Sequence, residues 1–286
     1  MKPQFSFINT FCFFILTGAI GIFSFCSCSA TSGRSFLPSI PGYHENQKRI
    51  IVLDDDLLEI SGMYYLQDDQ VASINDEDGK IFIIDTKNGS FKQLKYGKKR
   101  DYEDIVKVDS FFYILESNGN VHKVSLSGGE GDEEFEFKEE KKIEFESMYF
   151  DGDSKKLILI SKEQREIKDA ILAYSFDIAT KTFSTDPYYS IPMKSIYYHV
   201  KDINAVCKPS AAAVHPILHK VFIIASIGKM LLVCSMKGEV EHVFQLNPVH
   251  FPQPEGITFA TNGDMFISNE GVQGKATILK FPYSKP

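Results

Sequence analysis

The chain has 286 residues, 43% of them hydrophobic, which suits one large domain or two small ones. Its formal net charge of −7 argues against the basic face that phosphate binding needs, so no nucleic-acid partner is expected. Trp is absent, and 24 Phe and 13 Tyr supply the aromatic bulk.

The first residues carry a targeting pattern. Lys2 is the lone early charge, Phe5 to Phe25 is almost wholly apolar, and Ser27-Cys28 follows. A charged start, an apolar middle and a small residue before the cut define a signal peptide. Residues 1–27 resemble a bacterial lipoprotein signal, with Cys28 as the lipidated first residue of the mature chain. Cys26 is a poorer acceptor because bulky Phe25 precedes it. The other reading is an uncleaved anchor, since the apolar stretch could span a bilayer. Either way the expectation is a cell-envelope protein, held at a membrane with its domain outside the cytoplasm. Residues 28–47, with their Ser, Thr, Gly and Pro, read as a flexible tether, and 48–286 as the folded domain. Cys207 and Cys234 both lie in apolar, strand-like contexts. Two buried thiols are the default there, and a disulfide in an oxidising compartment is the alternative.

Internal repeats organise the rest. Five segments align on the residue before a short apolar run: Ser61-Gly62-Met63-Tyr64-Tyr65, Glu103-Asp104-Ile105-Val106, Glu146-Ser147-Met148-Tyr149-Phe150, Ser210-Ala211-Ala212-Ala213-Val214 and Glu255-Gly256-Ile257-Thr258-Phe259. They are spaced by 42, 43, 64 and 45 residues. A period in the low forties is that of a four-stranded propeller blade. Turn signals keep the same beat, among them Asp78-Gly79, Asn88-Gly89, Asn118-Gly119 and Asn262-Gly263. Between them run Lys80–Asp85, Phe111–Leu115, Leu157–Ile160, Val221–Ala225 and Met230–Cys234, rich in Ile, Val and Phe as strands should be.

The fold class is therefore all-β, a β-propeller of five four-stranded blades. The wide gap fits one blade plus an insertion, placed at Thr185–Val206; six blades would require that insertion to form a degenerate blade. No segment after the signal shows a helical period. Lys48–Asp54 precedes the first repeat and is expected to close the ring as outer strand of the last blade. Gly128–Glu140, dense in acids, reads as a solvated loop between the second and third blades.

Several of these stretches carry a family resemblance. Phe251-Pro252-Gln253-Pro254-Glu255-Gly256-Ile257-Thr258-Phe259 with Gly263-Asp264-Met265-Phe266-Ile267-Ser268-Asn269-Glu270-Gly271 resembles the SdiA-regulated (YjiK-like) family. Glu59-Ile60-Ser61-Gly62-Met63 and Lys208-Pro209-Ser210 with Val214-His215-Pro216 do so too. The likeness spans roughly residues 48–283 and implies an envelope β-propeller, often a lipoprotein, with no established reaction. Ala211 and Ala213 depart from the Gly and larger residue that the family tends to place there.

Propeller geometry then groups side chains. Each inner strand starts on one face and the second strand returns to it. Ser61, Glu103, Glu146, Ser210 and Glu255 should meet Asn75/Asp76, Glu116, Ser161, Ser226 and Asn269/Glu270 at the channel mouth. Carboxylates brought together must bind a cation, share protons or meet Lys or Arg. The metal candidates are Glu103, Glu146, Glu255, Asn75, Glu116 and Asn269. Oxygen donors of this kind suit Ca²⁺. The plainer alternative is bonding to strand-start N–H groups, or pairing with Lys162 and Arg165. His215 and His219 sit four apart, but Pro216 puts them across a turn, and His122, His242 and His250 read as surface residues. Asp76-Glu77-Asp78-Gly79 lacks the spacing of a calcium loop and reads as a hairpin turn. There is no nucleophile elbow and no phosphate loop. The functional expectation is a binding or scaffold module that takes a small ligand or an envelope protein. A Ca²⁺-dependent hydrolase of lactones or esters is the alternative, although no histidine aligns with the ring.

Overall fold

The computed structural model describes residues 40–126, 131–138, 143–164, 167–272 and 274–285. The expected signal with Cys28, most of the expected tether and Arg165 lie outside the described residues. Among the described residues no helix is long and apolar enough to cross a membrane.

The first strand, β1 (Arg49–Val52), belongs to the last blade. Blade 1 then runs β2 (Ile60–Tyr65), β3 (Gln70–Asn75), β4 (Lys80–Asp85) and β5 (Phe91–Lys95). Blade 2 is β6 (Tyr102–Val108), β7 (Phe111–Glu116), β8 (Val121–Ser125) and β9 (Glu133–Phe135). Blade 3 is β10 (Ile143–Asp151), β11 (Lys156–Gln164), β12 (Ala170–Asp177) and the two-residue β13 (Thr182–Phe183). β14 (Tyr189–Pro192) pairs with the other half of β12 and leads into α1 (Met193–Val200). Blade 4 is β15 (Lys208–Val214), β16 (Val221–Ile227), β17 (Met230–Cys234) and β18 (Val240–Gln245). Blade 5 is β19 (Pro254–Phe259), β20 (Met265–Asn269), β21 (Thr277–Phe281) and β1. The five antiparallel blades are those the repeats predict. Arg49–Val52 pairs with Thr277–Lys280, so the N-terminal strand closes the ring and leaves no open edge between first and last blades.

The middle strands explain why these sequences make this ring. Each blade is covered on both sides by neighbours, so Phe111-Phe112-Tyr113-Ile114-Leu115 can be apolar throughout. Phe112 and Ile114 join the core shared with blade 1, and Tyr113 and Leu115 join the core shared with blade 3. Five such cores lie between successive blades. A buried phenylalanine in one of them contributes roughly 2 kcal/mol, and Phe82, Phe112, Phe145, Phe176 and Phe222 are all fully buried.

Two segments differ from expectation. The insertion contains a helix, Met193–Val200, which buries Met193 and Ile196. Eight residues are too few to display a helical period, and Pro192 just ahead disguises the start. The acidic segment is not wholly loop. In Glu133-Glu134-Phe135-Glu136-Phe137 the phenylalanines alternate inward, where Phe135 meets Phe176 at 4.8 Å and Phe137 meets Phe145 at 5.1 Å. Its acids pair outward, Glu133 with Lys123 and Lys181 and Glu134 with Arg100. Cys207 and Cys234 are buried and unpaired, and burial pushes both thiols up to about 12.

Candidate functional site

All five inner strands break register at the same place. β2 is irregular between Ile60 and Met63, β6 between Tyr102 and Asp104, and β10 between Phe145 and Ser147. β15 breaks between Pro209 and Ala211, and β19 between Pro254 and Gly256. A bulge re-aims a side chain out of the pleat. The residues so re-aimed are Ser61, Glu103, Glu146, Ser210 and Glu255. The Ser61 hydroxyl donates to the Glu103 carbonyl (2.6 Å) and the Ser210 hydroxyl to the Pro254 carbonyl (2.8 Å), so the ring is stitched from blade to blade.

Beside the ring residue Glu103 a second carboxyl is buried among three blades. Asp104 is 2% exposed and accepts from Ile105 N (2.8 Å), from Met148 N of blade 3 (2.7 Å) and from the backbone of Ala212 in blade 4. Burial raises its carboxyl well above the usual range, against the pull of those three donors. Gly62 makes room for it, since a Cβ there would lie 2.3 Å from Asp104 Oδ1.

Above Asp104 opens a funnel of about 430 Å³. Its lining holds seven carboxylates (Asp76, Asp101, Glu103, Glu144, Glu146, Glu255, Glu270) against three lysines (Lys162, Lys208, Lys229), with Ser61, Ser226 and Gln253 adding neutral donors. Lys162 pairs with Glu146 and lies 3.3 Å from Glu144, while Lys208 turns to Glu163 (2.6 Å). Among the described residues Glu103, Glu255 and Glu270 have no ion pair. Burial, then the charge of Asp101, pushes Glu103 to about 8, with Lys162 opposing. Burial, then the charge of Glu255, does the same to Glu270. Burial also raises Glu255, against hydrogen bonds from Ser226 and Ser210. Asp76 is raised by burial and by Glu59, and its Oδ1 is buried with no hydrogen-bond partner among the described residues.

Of the six metal candidates, Glu103, Glu146 and Glu255 come together in this funnel. Asn75, Glu116 and Asn269 do not line it. Asn75 Oδ1 accepts from Asp78 N (3.0 Å), which holds the turn after β3. Asn269 Nδ2 reaches Thr277 Oγ1 (3.4 Å) and the His250 carbonyl (3.5 Å). Glu116 binds Arg100 (2.9 Å) and lies 3.3 Å from His122 Nε2. Burial would raise its carboxyl, but His122 and then Arg100 outweigh burial and bring it to about 2. Thus His122 is no plain surface residue. Glu116, His122 and Glu134 offer ligand atoms within 4.8 Å of one another, yet Arg100 already bonds both carboxylates there. Of the pairs Asn75/Asp76 and Asn269/Glu270 expected at the mouth, Asp76 and Glu270, each one residue past its strand, are the members that line it.

Sequence reasoning missed Glu144, Lys208, Lys229 and Gln253. The signal was available for three of them. Asp101, Glu144, Lys208 and Gln253 each stand two residues before a ring position, and a strand returns to the same side every second residue. They form an upper tier over the bulged ring. His215 is buried, its Nδ1 accepting from Ile217 N and Leu218 N (3.1 Å each), and burial lowers it to about 4. It holds a turn, as Pro216 implies. Asp76-Glu77-Asp78-Gly79 likewise joins two strands as a hairpin turn.

No family model and no curated protein matches the chain. Solved structures do. A luciferin-regenerating enzyme matches with a TM-score of 0.51 at 9% identity, over 82% of this chain and 95% of that one. A streptogramin B lyase matches with a TM-score of 0.49 at 12% identity, over 82% and 97%. The PQQ-bound aldose sugar dehydrogenase of Streptomyces coelicolor matches with a TM-score of 0.46 at 10% identity, over 85% and 100%. At such identities the likeness is one of fold.

Proposed function

We propose that the protein is a cell-envelope binding module of the SdiA-regulated (YjiK-like) kind. Cys28 anchors it by lipid to a membrane, and its domain faces outward from the cytoplasm to take a small ligand or an envelope protein. The funnel holds a divalent cation, Ca²⁺ first, between Glu103 and Glu255, with Ser226, Asp76 and Glu270 within reach of the same space. The observation that supports this reading is the set of five matching bulges, which turn the ring side chains toward one axis and leave Glu103 and Glu255 without an ion pair among the described residues. The donors fit the ion. They are oxygens, with no Cys or His in the lining, which suits Ca²⁺ over Zn²⁺. Asp76 Oδ1, buried and unpartnered, supplies a further acceptor. Lys162 and Lys229 compete with the ion, and so do protons on the carboxyls, so binding weakens as the pH falls.

Calorimetry of Ca²⁺ into the full chain tests this. Binding is expected at pH 9 and is weaker at pH 6, because Glu103 and Glu270 titrate at about 8. Glu103→Gln/Glu255→Gln should weaken it by at least about tenfold, or ~1.4 kcal/mol. No heat at millimolar Ca²⁺, or equal binding by the double variant, would sink the idea. The hydrolase reading draws on one observation: carboxyls titrating at about 8 suit proton transfer at neutral pH. Turnover of lactones or esters that EDTA abolishes would favour it, and silence across such a panel leaves the binding module.

A further inference from the structure

The funnel mouth is not uniform around its rim. On the side of blades 1 and 2 it is charged, with Asp76, Glu77, Lys99 and Asp101. On the side of blades 4 and 5 large apolar side chains stand in solvent. Ile203 is 78% exposed and Val249 79%, and Val206, Ile227 and Val272 are also exposed. All five lie just before an inner strand (β15, β19) or at or just after the end of a second strand (β16, β20), at the end of the ring where the funnel opens. Gly228 lies against the Val206 carbonyl. Leu246 N donates to the Lys229 carbonyl (2.7 Å), and Gln245 Nε2 to the Gly228 carbonyl (2.8 Å). Glu270 N donates to the Gln253 carbonyl (3.0 Å), joining the last two loops. This side of the rim also has a socket. A cavity of about 330 Å³ opens between α1 and the end of β11; Ile171, Met193, Tyr197, Ala205 and Val206 give it an apolar wall, and Lys162, Glu163, Lys168 and Lys208 stand on its charged side. Lys162 and Lys208 are a wall common to this cavity and the funnel.

We propose that this side of the rim is the docking surface for a partner protein whose contacting segment carries an apolar anchor beside a Lys or Arg. The anchor fills the socket, and the basic group enters the funnel mouth. Large apolar side chains exposed on several loops of one face mark an interaction surface, and a pocket for one large side chain is where interface energy concentrates. Charge selects the partner. An anionic lipid surface would meet the funnel carboxylates and be repelled, and so would a second copy of this chain, with its net charge of −7. A basic, apolar segment is complementary to both halves of the rim. The proposal rests on reading this face as a binding face, and not on Ca²⁺.

The test uses the full chain in EDTA against an array of nonapeptides. Each has a central Lys, Arg or Gln, flanked by Phe, Leu and Val or by Gly and Ser. Peptides with a basic centre and apolar flanks should bind, and their Gln counterparts at least about tenfold more weakly. Val249→Ser/Val272→Ser, both at exposed positions, and Ala205→Trp, which fills the socket, should each weaken binding on the order of tenfold. Binding of no peptide, no preference for a basic centre, or equal binding by the variants overturns the proposal. Vesicle retention or self-association that the double serine variant abolishes also overturns it, in favour of a lipid or a second copy. Peptides bound in EDTA and unaffected by Ca²⁺ support this proposal while counting against the cation site, so the two readings fail separately.

Discussion

Asp104 is the residue on which the centre of the ring depends. Its carboxyl accepts from backbone N–H groups of three inner strands, its own and those of Met148 and Ala212. Removing it strands those buried donors, and each buried unsatisfied group costs ~1–3 kcal/mol. Asp104→Ala should therefore destabilise the fold by about 3 kcal/mol or more, read by urea unfolding. Asp104→Asn keeps one acceptor oxygen and should lose roughly half as much. Equal stability of all three proteins would remove Asp104 from this role. Nothing in the sequence sets Asp104 apart from Glu103 beside it. Which of two adjacent acids faces the funnel and which is buried among the blades is decided by the bulge, and a bulge has no sequence signature here beyond Gly62 and Gly256.

At the scale of elements, the bulged inner strand is the repeated unit that makes both wall and site. Its tight packing is tested at Gly62, where a Cβ would meet Asp104 Oδ1 at 2.3 Å and Asp104 Cα at 2.5 Å. Gly62→Ala should destabilise the protein by about 2 kcal/mol, as overpacking does. Gly152→Ala, with nothing within 4 Å of the added carbon, should be close to neutral in the same thermal melt. A Gly62→Ala protein as stable as Gly152→Ala would mean that the inner strands tolerate separation. The blades were legible because their turns and apolar runs recur with one period, and β4 and β17 match the expected Lys80–Asp85 and Met230–Cys234 end to end. The helix Met193–Val200 was not legible, being two turns without an N-terminal side-chain cap. β9 hid behind its acids, since only Phe135 and Phe137 report the inward side. The choice of Asn75 and Asn269 over Asp76 and Glu270 failed at the strand ends, where one residue decides which way a side chain faces.

For the molecule as a whole, closure of the ring by Arg49–Val52 concentrates acids on one axis, and stability must depend on pH accordingly. Glu103 and Glu270 titrate at about 8 when folded and near 4.5 when not. Between those values the folded state binds more protons, so stability falls as pH rises from about 4.5 through about 8. Glu116 acts in reverse: its carboxyl, held at about 2, contributes stability above 4.5 that is lost as pH falls toward 2. Melting temperature without Ca²⁺ should thus peak near pH 5, and Glu103→Gln/Glu270→Gln should flatten its alkaline side. A wild-type protein that melts higher at pH 9 than at pH 5 would contradict the buried acid ring. The most direct test of the cation site is a crystal grown at pH 9 in Ca²⁺ and measured for anomalous scattering. One peak is expected on the propeller axis, about 2.3–2.6 Å from carboxylate oxygens of Glu103 and Glu255. A funnel without a peak, or a peak held instead by Glu116, His122 and Glu134, would contradict it.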